Sequence, residues 1–285
     1  MTDTRTTEAW AAQIRYDTVR MIEAVGSGHP GGSLSCADIL ACLYFRIMRL
    51  KPEEPGWRDR DRFILSKGHA APALYAALGR RGFFPPDEFR KLRQVDGILQ
   101  GHPDRLLTPG VDMTTGCLGQ GLSAGIGMAL AGRLDKANYH VYVILGDGEM
   151  NEGQIWEAAQ TAPHYKLGRL IVFLDLNNLQ FDGTLDEVIR PFDLAAKWRA
   201  FGWQVAELEG HDHAAICQAV ESARADDSAP HLFVTRTVKG KGVPVMENAC
   251  AWHSLVDREA MRQALPQLAE EVKRYEDVLD APDVW

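Results

Sequence analysis

The 285-residue sequence has few cysteines, and their spacing does not indicate that they form pairs. The five cysteines form no CxxC pair and their number is odd, so neither a disulfide framework nor a zinc-ligand pattern is indicated. The opening residues, MTDTRTTEAW, contain no apolar core of a secretion signal, and no apolar run approaches the ~18 residues of a membrane span. We therefore expect a reduced, cytoplasmic protein with no membrane contact.

Positive charge is also scarce, because 31 lysines and arginines face 39 acidic residues and leave a net charge of −8. A sequence-independent hold on DNA or RNA needs a basic face, so we expect no nucleic-acid partner. A local site can still bind an anionic small molecule. The motifs GxxxxGK[ST] and HExxH do not occur, so the sequence supports neither a P-loop nucleotidase nor a metalloprotease of the HExxH type.

Near-continuous apolar segments are present, and they alternate with helical patterns. The segments 139–145 and 170–174 are typical of parallel strands that are covered on both faces. Strands that alternate with helices predict an α/β fold, namely a doubly wound, mostly parallel sheet with helices on both faces. We expect one domain over residues 1–285, with helical extensions at both ends.

The predicted elements follow from hydrophobic periodicity and from breaker residues. Residues 26–33, rich in glycine, are expected to form a turn, with Ser35 as the cap of the helix that follows. The predicted helices are 8–25, 38–50, 69–81, 119–133, 152–165, 193–201, 213–225 and 258–278. The predicted strands are 62–65, 139–145, 170–174, 203–208 and 231–238. Pro163 should kink or end the helix in which it lies.

A Gly-Asp-Gly turn at 146–148 follows the strand 139–145 directly. Alone, such a tripeptide is most often a tight turn. Asn177 lies 30 positions after Asp147, at the end of the next predicted strand. The carboxyl ends of parallel strands meet at one sheet edge, so the loops 146–153 and 175–183 should face the same ligand. Magnesium bound with a diphosphate needs such hard oxygen ligands, and the carbonyl of Leu179 can add one.

The Gly-Asp-Gly turn followed about 30 residues later by Asn177 matches the thiamine diphosphate motif. With this motif, the sequence resembles the N-terminal, diphosphate-binding half of a transketolase. The resemblance extends through an ordered set of further stretches. They are SGHPGG (27–32), DRFILSKGHAAPALYAAL (61–78), GHPD (101–104), TTGCLGQGLSAGIGMA (114–129), GDGEMNEGQIWEAA (146–159) and VKGKGV (238–243), followed by Trp252 and His253. The sequence departs from the family pattern at Cys117, Asp104, Pro163 and Ser254, none of which belongs to the metal pair.

The resemblance implies a cofactor, thiamine diphosphate, and a metal, magnesium. His69 and the backbone of Gly148 are expected to contact the diphosphate. Asp147, Asn177 and the carbonyl of Leu179 are expected to hold the metal, and Asn177 is also counted among the cofactor contacts.

Further residues are expected along the cofactor rings and around the sugar. The backbone of Gly116 and of Leu118 should follow the aminopyrimidine and the thiazolium. His29, His102 and His253 should surround the reacting carbon, because loop imidazoles suit proton transfer and hydrogen bonds to hydroxyls. The other five histidines are expected to be structural or exposed.

Glu152 resembles the glutamate that reaches towards the other half of the enzyme. An ordinary acidic residue at a helix N-terminus explains it equally well.

The resemblance implies transfer of a two-carbon ketol unit from a ketose to an aldose. Activity would need a partner, a C-terminal transketolase subunit that carries the pyrimidine-binding domain, because we find no such domain before Trp285. An assembly with two copies of each subunit is expected. Alternatives are the α subunit of a 2-oxo acid dehydrogenase, a deoxyxylulose phosphate synthase-like enzyme, or a non-catalytic module. Sugar phosphates are the default substrates, and sulfonated ketoses stay open.

Overall fold

Five parallel strands form the centre of the computed structural model, which describes residues 4–279. The strands are β1 (Arg62–Leu65), β2 (Val141–Gly146), β3 (Leu170–Leu176), β4 (Gln204–Glu209) and β5 (His231–Arg236). Their order across the sheet is β1-β2-β3-β5-β4, and every neighbouring pair is parallel. The predicted boundaries at residues 1 and 285 lie outside the described residues.

Ten α-helices are assigned within the described residues. They are α1 (Arg5–Val25), α2 (Pro30–Ser35), α3 (Ala37–Cys42), α4 (Ala71–Arg81), α5 (Gln120–Leu134), α6 (Gly153–His164), α7 (Leu185–Val188), α8 (Leu194–Ala200), α9 (His213–Arg224) and α10 (Arg258–Lys273). Among residues 4–279, none of these helices has both the length and the apolar character needed to cross a membrane.

Helices cover the sheet on both faces, because successive side chains of a strand point in opposite directions. In β2, Tyr142 and Ile144 pack in the layer formed with α1, α3, α4 and α9. Val143 and Leu145 pack in the opposite layer, formed with α5, α6 and α8. The doubly wound α/β fold predicted from the sequence is therefore confirmed.

The strand register brings the two predicted ligand loops to one edge. Gly146, the last residue of β2, pairs with Asp175 of β3, and both strands run in the same direction. The loops that follow therefore leave the sheet side by side, as predicted.

The segment 26–33 differs from the prediction. Its second half belongs to helix α2, which begins at Pro30, a residue that fits the first helical turn because the amide it lacks has no helical partner there. Ser35 is not a helix cap, since it lies inside α2 and its hydroxyl donates to Asp175. The helix predicted over 38–50 is also divided, because α3 passes into a π-helical turn at Leu43–Ile47.

The two terminal helices pack against each other. Tyr16 of α1 and Met261 and Leu268 of α10 belong to one buried apolar cluster. Helix α10 ends at Lys273, five residues earlier than predicted. Helix α6 ends at His164, directly after Pro163, so the early end that the proline predicted is observed.

Candidate active site

A cavity of about 160 Å³ lies at the carboxyl ends of β2 and β3. Seven of the residues predicted for the site line it. They are His69, Leu118, Asp147, Gly148, Asn177, Leu179 and His253. Residues separated by more than 180 positions in the sequence thus line the same cavity. This is possible because the carboxyl ends of all the parallel strands lie at one edge of the sheet.

Asp147 and the Asn177 loop are joined directly. One carboxylate oxygen of Asp147 accepts from the backbone N–H of Asn178 at 2.6 Å, and the other accepts from that of Gly148 at 2.8 Å. The amide oxygen of Asn177 accepts from the N–H of Leu179 at 3.1 Å. Burial, with a smaller contribution from Asp175, raises the pKa of Asp147 to about 6. A bound cation would favour the ionised form.

Oxygen atoms of several kinds that could bind a metal ion line this cavity. Within residues 4–279, no group of three or more His, Cys, Asp or Glu side chains could hold a metal by itself. An ion in this cavity would instead combine Asp147, the Asn177 amide, the Leu179 carbonyl and oxygens of a ligand. That mixture of few protein oxygens and ligand oxygens suits magnesium bound with a diphosphate.

Three imidazole rings form a cluster on one side of the cavity. The ring centroids of His69 and His253 are 5.0 Å apart, and His29 lies 5.3 Å from His69 and 5.8 Å from His253. The buried Nδ1 atom of His29 has no hydrogen-bond partner among the described residues. His29 does not line the cavity itself, but its ring lies against His69 and His253, which do.

The imidazoles of this cluster are neutral near pH 7. Burial, aided by nearby cations, lowers the pKa of His29 and of His253 to about 4. Burial and Lys67 hold the pKa of His69 well below its usual range. A neutral imidazole has one donor and one acceptor nitrogen, so it can hydrogen-bond a hydroxyl or accept a proton.

Two buried lysines line the same cavity, and the sequence motifs predicted a role for neither of them. Lys67 pairs with Asp175 and donates to the carbonyl of Gly32 at 2.6 Å. Lys239 is only 2% exposed and donates to the carbonyl of Leu179 at 2.8 Å and to Nδ1 of His253 at 3.1 Å. The proton of that ring is therefore on Nε2, because an ammonium group only donates.

The lysines were detectable in principle. Lys67 lies in the stretch 61–78, two positions before His69, and Lys239 lies in the stretch 238–243 that leads to His253. A lysine beside a predicted buried strand indicates a paired or functional cation, because unpaired lysines are rarely buried.

The remaining predicted residues lie around the cavity. Gly116 packs against Gly68. A Cβ atom added to Gly68 would lie only 2.7 Å from the amide nitrogen of Gly116. The His102 ring lies against Gly116, where a Cβ would be 3.1 Å away. Glu152 is exposed at the start of α6, and its side chain does not cap that helix. The structure thus brings the whole predicted set to one edge of the sheet.

Comparison with known proteins agrees with this geometry. Residues 6–270 match the family described as "Transketolase, thiamine diphosphate binding domain". The chain belongs to the transketolase family. Two curated members are similar along nearly their whole length. One is the 6-deoxy-6-sulfo-D-fructose transketolase subunit SqwG of Clostridium sp. strain MSTE9, 46% identical over 90% of this chain and 94% of that protein. The other is an apulose-4-phosphate transketolase subunit of Phocaeicola vulgatus, 40% identical over 95% of this chain and 96% of that protein.

Solved transketolase structures share the fold. The Pichia stipitis transketolase in complex with sedoheptulose 7-phosphate superposes with a TM-score of 0.84 and 29% identity. The transketolase of Campylobacter jejuni superposes with a TM-score of 0.83 and 27% identity. The match covers 98% of this chain in both comparisons but only 46% and 49% of those transketolase chains, so this chain spans about half their length.

Proposed function

We propose that this chain binds thiamine diphosphate and magnesium and, together with a partner subunit, transfers a two-carbon ketol unit from an anionic ketose to an aldose. The observation that carries the proposal is the meeting of Asp147 and the Asn177 loop in one cavity with two buried cations and two neutral imidazoles, beside which the third imidazole, His29, lies. Membership of the transketolase family limits the proposal to transketolase-type reactions. The oxygens, cations and imidazoles of the cavity suit the binding of this cofactor.

The cavity fits the charged end of the cofactor. Asp147, the Asn177 amide oxygen and the Leu179 carbonyl would hold the metal. His69 and the backbone of Gly148 would face the diphosphate. Lys239 has no carboxylate partner in the described chain, so its charge can be neutralised by an anionic ligand.

Thiamine diphosphate supplies the carbon nucleophile and the electron sink for this chemistry. The chain's own part is to bind, orient and move protons. His29 and His253, neutral at pH 7, can hydrogen-bond the hydroxyls of the sugar and accept a proton near the reacting carbon. His102, beside Gly116, would extend this set, while Gly116 and Leu118 would follow the cofactor rings.

A partner subunit completes the proposal. A cavity of about 160 Å³ is smaller than the ~300–1,000 Å³ of sites that enclose a whole cofactor-sized ligand. The rest of the cofactor would lie against a C-terminal transketolase subunit with the pyrimidine-binding domain, towards which the exposed Glu152 could reach. Two curated relatives are themselves named subunits. We propose an assembly with two copies of each subunit, located in the cytoplasm.

The substrate class follows from the relatives and stays a proposal. One relative is named for a sulfonated fructose and another for apulose 4-phosphate, so both names specify a sugar with an anionic group. We propose an anionic ketose, phosphorylated or sulfonated, as the donor for this chain.

The metal site is tested by Asp147→Ala. Removing a carboxylate from a charged site costs about 3 kcal/mol, so we expect magnesium-dependent binding of thiamine diphosphate to weaken about 100-fold. Isothermal titration calorimetry with and without magnesium, with the partner subunit present, measures this.

The exposed Asp59→Ala variant is the control and should bind as the wild type does. The fold should persist in Asp147→Ala, because this buried carboxylate accepts only from backbone amides of its own and the neighbouring loop. Unchanged cofactor affinity in Asp147→Ala would contradict the metal site.

A further inference from the structure

Glu149 is a buried carboxylate at the cavity to which the resemblance gives no role. It is 2% exposed, lines the cavity and follows the Gly146–Gly148 turn directly. A carboxylate this deeply buried needs strong partners, because the loss of its hydration costs several kcal/mol. Its close partners within residues 4–279 are hydrogen-bond donors, so hydrogen bonds must compensate for that loss.

Three donors converge on this carboxylate. Oε1 accepts from the Ser66 hydroxyl at 2.5 Å and from the backbone N–H of Gly119 at 2.7 Å. Oε2 accepts from the backbone N–H of Gly146 at 3.0 Å. Charge-assisted hydrogen bonds of this kind are about twice as strong as neutral ones.

Two of the donors belong to other loops that carry predicted cofactor contacts, and the third belongs to the turn of Glu149 itself. Ser66 follows β1 and lies three residues before His69. Gly119 precedes α5 and follows Leu118. Gly146 ends β2 directly before Asp147. The Glu149 side chain therefore ties its own turn to two segments that lie 83 and 30 positions earlier in the sequence.

The loops around these three hydrogen bonds are closely packed. A Cβ on Gly121 would lie 2.4 Å from the Ser66 hydroxyl. A Cβ on Gly68 would lie 2.7 Å from the Thr115 hydroxyl as well as from the Gly116 amide nitrogen. The loops at Ser66, Gly68 and Gly121 therefore pack too closely to admit even one added methyl group without a shift.

We propose that Glu149 is a positioning residue that fixes the loops of His69, Leu118 and Asp147 relative to one another, so that the chain is preorganised for thiamine diphosphate. This role rests on the proposed function. Preorganised loops lose less conformational freedom on binding, so the role predicts a direct effect on cofactor affinity.

Glu149→Gln separates this role from simple burial, because glutamine has nearly the same shape. Its Oε1 can still accept from Ser66 and Gly119. Its Nε2 only donates and would face the N–H of Gly146, so that bond is lost, and the bonds to the Ser66 and Gly119 loops are no longer charge-assisted. We expect the Kd for thiamine diphosphate with magnesium to rise about tenfold. Amide exchange in residues 118–121 and 146–149 of the cofactor-free chain should accelerate by a similar factor.

Two controls share the neighbourhood. Glu157→Gln alters an exposed glutamate on α6 and should change neither quantity. Ile155→Val alters a fully buried residue of the same helix, so it should lower the melting temperature while cofactor affinity and loop exchange stay as in the wild type. Where Glu149→Gln does not fold, Ser66→Ala removes one donor only and should accelerate exchange in residues 66–69.

The proposal is overturned if Glu149→Gln binds the cofactor as the wild type does with unchanged loop exchange. It is equally overturned if Ile155→Val, at the same loss of melting temperature, loses as much cofactor affinity as Glu149→Gln. The exchange measurement uses the chain without cofactor, so it tests the loop-fixing role independently. A wild-type chain that binds no thiamine diphosphate even with the partner subunit present would instead overturn the proposed function.

Discussion

Buried charges around the cavity are held in three different ways. Lys67 forms an ion pair with Asp175. Lys239 donates to a carbonyl and an imidazole, and Glu149 accepts from one hydroxyl and two amides. An ion pair is neutral in sum, whereas the hydrogen-bond partners of Lys239 and Glu149 are uncharged groups. Lys239 is therefore the cation that most favours an anionic ligand in this cavity.

At the residue scale, motif spacing predicted the metal pair and the histidines, and the structure brings these residues together. Whether they bind as proposed stays a prediction. Lys67, Lys239 and Glu149 were not predicted, because their partners lie far away in the sequence. The contact of Lys67 with Asp175 spans 108 positions, and that of Lys239 with Leu179 spans 60. Such pairings follow from the strand order, which periodicity alone does not give.

His140 offers a pH-dependent measurement away from the cavity. Both ring nitrogens are buried without a hydrogen-bond partner among the described residues. Burial lowers the pKa of His140 to about 4, although Asp61 favours the charged form. Between pH 4 and about 6.5 the unfolded chain thus binds a proton that the folded chain does not, so stability rises with pH across this window. The full contribution, present above pH ~6.5, is about 3 kcal/mol at most.

We expect His140→Phe to be more stable than the wild type at pH ~5, because the variant loses this proton-linked cost and the two unpartnered nitrogens. The difference between the two proteins should shrink towards pH ~7.5. Urea unfolding at both pH values measures it, with His164→Gln, at the end of α6, as the control. Equal pH slopes in wild type and His140→Phe would contradict the assignment.

At the element scale, strand and helix types were predicted correctly where periodicity is long. The α2 region was missed, because glycines and a proline indicate a turn unless the proline stands at the first helical position. The π-helical turn after α3 carries no sequence signal that separates it from an ordinary helix. The short helix α7 was also missed, although Thr184 and Glu187 form a capping box there.

Two of the glycines in helix α5, Gly125 and Gly127, have different surroundings. A Cβ on Gly127 would meet nothing within 4 Å, whereas one on Gly125 would lie 2.8 Å from Cγ2 of Val143. Alanine favours a helix over glycine by about 0.5–1 kcal/mol. We expect Gly127→Ala to stabilise the chain by that amount and Gly125→Ala to destabilise it by about 1–3 kcal/mol, because the added methyl overpacks the core.

Gly127→Ala and Gly125→Ala are matched controls for each other, because both add one methyl group to the same helix. Denaturant unfolding of the two variants gives the comparison. Shifts of the same sign would mean that packing against β2 does not limit α5.

At the scale of the whole molecule, a partner subunit is proposed to complete the site. We expect the purified chain with thiamine diphosphate, magnesium and a ketose phosphate to show no ketol transfer. Addition of a subunit with the pyrimidine-binding domain should restore it, because the exposed part of the cofactor is then enclosed. Release of the aldose product, measured by a coupled assay, reports on both mixtures.

The control is the same mixture with the Asp147→Ala chain, which should remain inactive with the partner present. Robust turnover by the isolated wild-type chain would refute the two-subunit proposal. The single domain over residues 1–285 also stays a prediction.

The cavity is assembled from residues as distant as His29 and His253. A ribosome must therefore have released almost the entire described polypeptide before any ligand could find its binding place. A cofactor that needs both walls would stabilise only chains synthesised past His253. Vitamin supply would then influence how long completed copies survive in the cell, and not how readily each new copy begins to fold.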